Sequence, residues 1–250
     1  MKKRTRSAGK RASNELHLQG IPATVEVRHH PAARRMTLRV SRTGRSVIVT
    51  VPMTCDLEQA GQFVSRHLDW VKARLGSLPA PVPFKNGAEI PLRGIPHTVR
   101  FLGCMRRGPV VSIEEAADGQ KQLVVSGYLA HAPRRLLDWL VAQARSDLDE
   151  RVAWHAANLK LRPRGIAVRD QVSRWGSCSS TGMLSFSWRL VLAPPLILDY
   201  VAAHEVAHLA QMNHGPRFWA LVRQTMPRMD EAKQWLQVYG MDLHRFGSEA

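Results

Sequence analysis

The segment from Pro194 to Pro216 constrains the fold of this chain more than any other. Two prolines stop the strand-like run before it and can occupy the first turn of a helix. The residues that follow, to about Met212, are apolar enough for a buried helix. Asn213-His214-Gly215-Pro216 then ends it, since Asn and Gly tolerate positive φ and proline blocks continuation. Inside the helix lies His204-Glu205-Val206-Ala207-His208. Residues four apart share one helical face, so both imidazoles point the same way.

Two imidazoles so placed can hold one Zn²⁺ at about 2.0–2.1 Å each. A catalytic zinc usually takes three protein ligands and keeps an open position. His214, six residues after His208, becomes the third candidate if the chain reverses after Met212. Asp230 and Glu231, on the helix after Pro227, are the rivals. Glu205 follows the first histidine directly and suits a general base acting on a water beside the metal. Three buried histidines beside a glutamate with no metal would be costly to desolvate.

The rest of the sequence reads as α+β. The first half is strand-rich, with candidates at 25–29, 35–40, 46–51, 89–92, 97–102, 110–113 and 123–125. One helix is expected over 57–75, opened by Asp56 and Gln59 at capping-box spacing. Pro79, Pro81 and Pro83 make a stiff linker. A long helix is expected over 133–159, strands over 166–169 and 183–192, and helices from Pro216 and over 230–239. The expected organisation is a basic arm at 1–18, a strand-rich portion with one helix at 19–130 and a catalytic portion at 131–250. No internal repeat is visible.

Charge and cysteine content bound the partners. The formal charge is +16, and six of the first eleven residues are Lys or Arg. Such an arm can attract nucleic acid, but no nucleic-acid motif accompanies it. Three scattered cysteines, Cys55, Cys104 and Cys178, make neither a disulfide framework nor a thiolate zinc site. With no apolar run of 18 residues and no secretory signal, a cytoplasmic protein without a membrane span is expected.

Beyond the motif, Arg174-Trp-Gly-Ser-Cys-Ser-Ser180, Trp188-Arg-Leu, Asp199-Tyr-Val, Asn213-His214 and Phe218-Trp219 resemble the YgjP-like metal-dependent hydrolases, relatives of the SprT-type zincin metallopeptidases. Arg34 to Arg39, His67 to Trp70 and Ile90 to Gly94 extend the resemblance over roughly residues 22 to 245. The resemblance implies a zincin-like fold with a strand-rich N-terminal portion. It also implies His204, His208 and His214 as zinc ligands, one zinc per chain, and Glu205 as general base. Two reactions compete on that site: peptide hydrolysis, and the UTP pyrophosphohydrolysis attached to a family member. A basic nucleic-acid-associated binding protein is the non-enzymatic alternative. In the peptidase reading an extended substrate lies along an edge strand, with residues 184–188 the expected strand. Arg174, Ser177, Arg189 and Tyr200 are candidate contacts to substrate or transition state, and the two arginines would equally hold a polyphosphate.

Overall fold

The computed structural model describes residues 14–21, 23–41, 46–171 and 173–248. Residues 1–13 of the expected basic arm lie outside them. Within the span expected as the arm, Asn14–Leu16 forms strand β1, with Leu16 in register with Val25.

The chain divides into two compact units at Leu78 and Pro79, within the proline-rich stretch. The first holds β1, β2 (Val25–His29), β3 (Thr37–Val40) and β4 (Val47–Val51) in the order β1-β2-β4-β3. The β2–β4 pair is parallel and the others are antiparallel. Two helices follow, α1 (Leu57–Arg66) and α2 (Leu68–Gly76), where one was expected. The Asp56–Gln59 capping box is present. The break is at His67, whose Nδ1 bonds the Phe63 carbonyl at 2.8 Å and whose backbone leaves helical geometry.

The second unit opens on β5 (Glu89–Leu92), β6 (Ile95–Phe101), β7 (Val111–Glu115) and β8 (Lys121–Val125), in the order β5-β6-β8-β7. Again the second and fourth strands are parallel and the outer pairs antiparallel. The two sheets thus share one topology, a repeat of path without visible repeat of sequence. Helix α3 (Ala132–Leu159) packs on this sheet. Leu136, Leu140, Ala144, Leu148 and Val152, each four residues after the last, are buried along one stripe. Ile90, Leu92, Val99, Leu123 and Val125 of the sheet join them in a single core. The division expected at 130 therefore falls inside the second unit.

A three-stranded sheet completes that unit: β9 (Gly165–Arg169), β10 (Gly176–Cys178) and β11 (Met183–Ser187), in the order β10-β11-β9. The strand expected to reach Leu192 stops at Ser187 and tightens into a 3₁₀ turn, Trp188–Leu192, buried throughout. Then come α4 (Pro195–Ala207), α5 (Pro216–Thr225) and α6 (Met229–Tyr239). Gly240 does not stop the chain's helical path, which continues as a 3₁₀ turn to Arg245. Among the described residues no helix is long and apolar enough to cross a membrane, and the three cysteines are free.

Candidate metal centre

Helix α4 is buried on nearly every side, and Ala202, Ala203 and Ala207 let its neighbours come close. It ends at Ala207, five residues before the expected Met212. Beyond it the N–H groups of Leu209 and Ala210 donate to carbonyls three residues back, a tightening of the last turn. The reversal needs no left-handed residue: Gly215 is extended at φ −82°, ψ −178°, and Asn213 has no positive φ. A tight turn, with Gly215 N–H donating to the Asn213 carbonyl at 2.8 Å, leads into Pro216 and α5.

That path brings His214 back to the helix. The ligand atoms of His204, His208 and His214 lie within 4.8 Å of one another, and among the described residues no other trio of His, Cys, Asp or Glu does so. His204 Nε2 and His214 Nε2 are 3.0 Å apart. Two ligands on one tetrahedral zinc stand about 3.3 Å apart, so the spacing fits an ion between them. The rivals are engaged elsewhere: Asp230 with Arg223 at 3.3 Å and Lys233 at 3.9 Å, and Glu231 with Arg228 at 2.7 and 2.9 Å.

The other ring nitrogens fix the tautomers. His208 Nδ1–H donates to the Gln211 carbonyl at 3.0 Å, which frees Nε2. His204 Nδ1 faces the Tyr200 hydroxyl at a long 3.5 Å. Beneath all three rings lies Phe218, fully buried, with centroid distances of 4.5–4.9 Å. Trp219 flanks His204 and His214 at 5.8 and 5.6 Å, and Lys233 sits 4.4 Å over its far-reaching indole. Burial, then the charges of His208, His214 and Lys233, push His204 down to about 3. Burial also lowers His208, against the Gln211 hydrogen bond. Both rings are therefore neutral at ordinary pH, with lone pairs available to a cation.

Glu205 is buried, and its Oε2 makes no hydrogen bond to the described protein atoms. Burial pushes its carboxyl up to about 8, offset in part by Arg174. A buried, unpartnered carboxyl oxygen on the residue next to His204 is a group that a metal and its water would satisfy. Strand β10 lies directly over it: a β-carbon on Gly176 would meet Glu205 Cγ and Oε1 at 2.6 Å. Cys178, on the same strand, is raised by burial and by the charge of Glu205.

The four candidate contacts separate. Arg174 is exposed just before β10, close enough for its charge to act on Glu205. Ser177 is half-buried in the middle of β10. Tyr200 is buried beside His204, its hydroxyl raised to about 12 by burial and by the charges of Glu205 and Asp230. Arg189 is engaged in the protein's interior. It is buried, its guanidinium spent on Asp170 at 2.9 and 3.3 Å and on the carbonyls of Leu243 and Phe246. The strand expected to carry it ends at Ser187, where the backbone becomes a 3₁₀ turn. The expected substrate strand also changes. β11 is paired on both sides, so β10 and β9 are the edges, and β10 is the one that packs on Glu205 of α4.

Sequence reasoning missed Gly176, the Phe218 floor and Lys233. Phe218 carried a signal, as an apolar residue two after the helix-opening Pro216 and in the Phe218-Trp219 pair, and Gly176 stood in the run from Arg174 to Ser180; Lys233 carried none.

A buried helix presenting two imidazoles and a glutamate, closed by a third imidazole and roofed by a short edge strand, defines a metal-dependent hydrolase. Residues 34–239 match the YgjP-like metallopeptidase domain, and the chain belongs to that family. No curated protein matches the chain. Among solved structures, the metallopeptidase zymogen of Pyrococcus abyssi abylysin is similar at 18% identity, over 36% of this chain and 92% of that one, with a TM-score of 0.34.

Proposed function

We propose that the chain is a zinc metallopeptidase, with His204, His208 and His214 holding one zinc and Glu205 as general base. The observation that carries this reading is the convergence of His204, His208 and His214 within 4.8 Å, with the buried Glu205, whose Oε2 is unpartnered, next to His204 in the chain and packed under Gly176 of β10. Zinc, when bound, would act as a Lewis acid that polarises a carbonyl and acidifies water. Glu205 would take the proton at Oε2 and return it to the leaving amine nitrogen.

Strand β10 would hold the peptide. Ser187 N–H donates to the Trp175 carbonyl and Ser179 N–H to the Met183 carbonyl, with Ser177 opposite Ser185. Residues 175, 177 and 179 therefore bond inward to β11. By the alternation of an antiparallel ladder, Gly176 and Cys178 turn their N–H and C=O groups to the open edge. An extended peptide can add there as a further strand, with its scissile bond over Glu205. Arg174, at the start of the strand, would meet substrate on that side.

Pyrophosphohydrolysis of a nucleotide on the same centre keeps Arg174 as a cation but loses Arg189, whose donors are spent. The test is a screen of wild type beside Glu205→Gln against unstructured proteins and nucleoside triphosphates. Proteolysis that disappears in Glu205→Gln, with one zinc per chain in both, supports the peptidase. Glu205-dependent turnover of nucleotides alone would replace it with the second reading.

A further inference from the structure

The turns at one end of the β5–β8 sheet gather some of the most exposed apolar side chains in the second unit. Tyr128 is 66% exposed, Met105 65%, Leu129 59% and Val110 50%. They come from two segments that are bound to each other. Gly127 N–H donates to the Cys104 carbonyl and Ser126 N–H to the Val110 carbonyl, both at 2.8 Å. Arg106 N–H donates to Ser126 Oγ at 2.8 Å. Arg135 crosses between the segments, donating to the Ser126 carbonyl at 2.7 Å with Met105 Sδ 3.9 Å away. Gly103, at φ +73°, packs on the Leu129 side chain. The patch is therefore braced by main-chain bonds.

Arginines accompany it. Arg106 and Arg107 belong to the first segment, Arg135 bonds the second, and Glu114 accepts from Arg106 at 2.6 Å. Single exposed apolar residues are ordinary, but four on two turn segments bonded to each other, with arginines in and against the same segments, are not. Such a combination suits a partner that is anionic outside and apolar within, which is a bilayer surface. Nucleic acid would satisfy the arginines but offers nothing to Met105, Val110 and Leu129, which have no flat face for a base. The chain's charge of +16 adds long-range attraction to the same surface.

We propose that this patch docks on an anionic phospholipid surface, with Met105, Val110, Tyr128 and Leu129 entering the acyl boundary and the arginines resting on headgroup phosphates. The proposal is independent of the metal centre.

The test is flotation of the full-length protein with vesicles of phosphatidylcholine alone and of phosphatidylcholine with phosphatidylglycerol. Flotation is expected with the mixed vesicles and to be weak with phosphatidylcholine alone. Tyr128→Ser with Leu129→Ser should lower the partition at least about tenfold, and Arg107→Ser about fivefold. Every variant keeps the basic N-terminal residues, so a loss in the apolar variant reports on the patch. If the double variant does not fold, Met105→Ser carries the same test. No flotation, or flotation unchanged by the apolar substitutions, overturns the proposal. So does DNA binding with the same dependence on Leu129.

Discussion

Gly176 and Glu205 are in direct contact: a β-carbon on the glycine would stand 2.6 Å from the carboxylate oxygen Oε1 and 2.8 Å from Cδ. Only a hydrogen fits there. Gly176→Ala must therefore displace either the strand or the glutamate. A shift of about 1 Å at a reacting group costs about 100-fold in rate. Gly176→Ala is expected to lower Glu205-dependent hydrolysis by about that factor while zinc content, measured on the purified protein, stays at the wild-type level. Full turnover in the variant would mean that β10 does not position the base.

The metal assignment predicts a graded series. His214→Ala removes a ligand and should weaken zinc affinity by more than about 100-fold, the upper range for loss of a mere supporting partner. Tyr200→Phe removes only the long 3.5 Å contact to His204 Nδ1 and should cost about tenfold or less. Competition with a chromophoric chelator measures both. Equal affinities in His214→Ala and wild type would leave the third ligand to another residue.

Cys178→Pro tests the strand edge. Its N–H faces away from β11, so proline there removes an outward donor while sparing the inward bonds of Ser177 and Ser179. One lost hydrogen bond to substrate should raise KM for a peptide about tenfold with little change in kcat. An unchanged KM would move the substrate off β10.

The partners of Arg189 predict a structural role. Arg189→Met would strand the buried carbonyl of Leu243 and the half-buried one of Phe246. The expected loss is about 2–4 kcal/mol in urea unfolding, with zinc content unchanged in the folded fraction. A variant of wild-type stability that has lost only substrate affinity would restore Arg189 to the site.

What the sequence revealed, and what it hid, follows from the range of the interactions. The i, i+4 spacing of His204 and His208 is local, as are the prolines that open α4 and α5, so the centre could be read directly. The end of α4 could not. Leu209, Ala210, Gln211 and Met212 are all good helix formers, yet the helix ends in the i→i−3 bonds of Leu209 and Ala210, and the Gln211 carbonyl accepts from His208. Strand β10 was invisible for the opposite reason. Gly176-Ser177-Cys178 has little strand propensity, and pairing with β11 makes it a strand. Arg189 misled because period-2 alternation was carried past Ser187, where the backbone changes to a 3₁₀ turn. A glycine's importance, as at Gly176, depends on what faces it, which no local pattern records.

Asp199 ties the metal helix to its neighbours and gives the fold an acid-sensitive joint. Its Oδ1 accepts from Arg151 Nε at 2.6 Å and from His155 Nε2 at 2.7 Å, while His155 Nδ1 meets the Thr225 hydroxyl at 2.7 Å. Helices α3, α4 and α5 thus share one buried chain of bonds, five residues from His204. Burial alone would raise the Asp199 carboxyl, but the hydrogen bonds and charges of His155 and Arg151 outweigh it and hold the group below its ordinary 3.8. A lowered carboxyl stabilises the fold above its unfolded-state value, and that contribution is lost as pH falls through the folded one. Asp199→Asn should therefore cost about 3 kcal/mol at neutral pH, where it leaves Arg151 and His155 without their anion. The gap between wild type and variant should close below about pH 4 as the wild-type carboxyl takes up its proton. Urea titrations across that range measure it, and a gap that persists undiminished in acid would show that the charge of Asp199 is not what joins the helices.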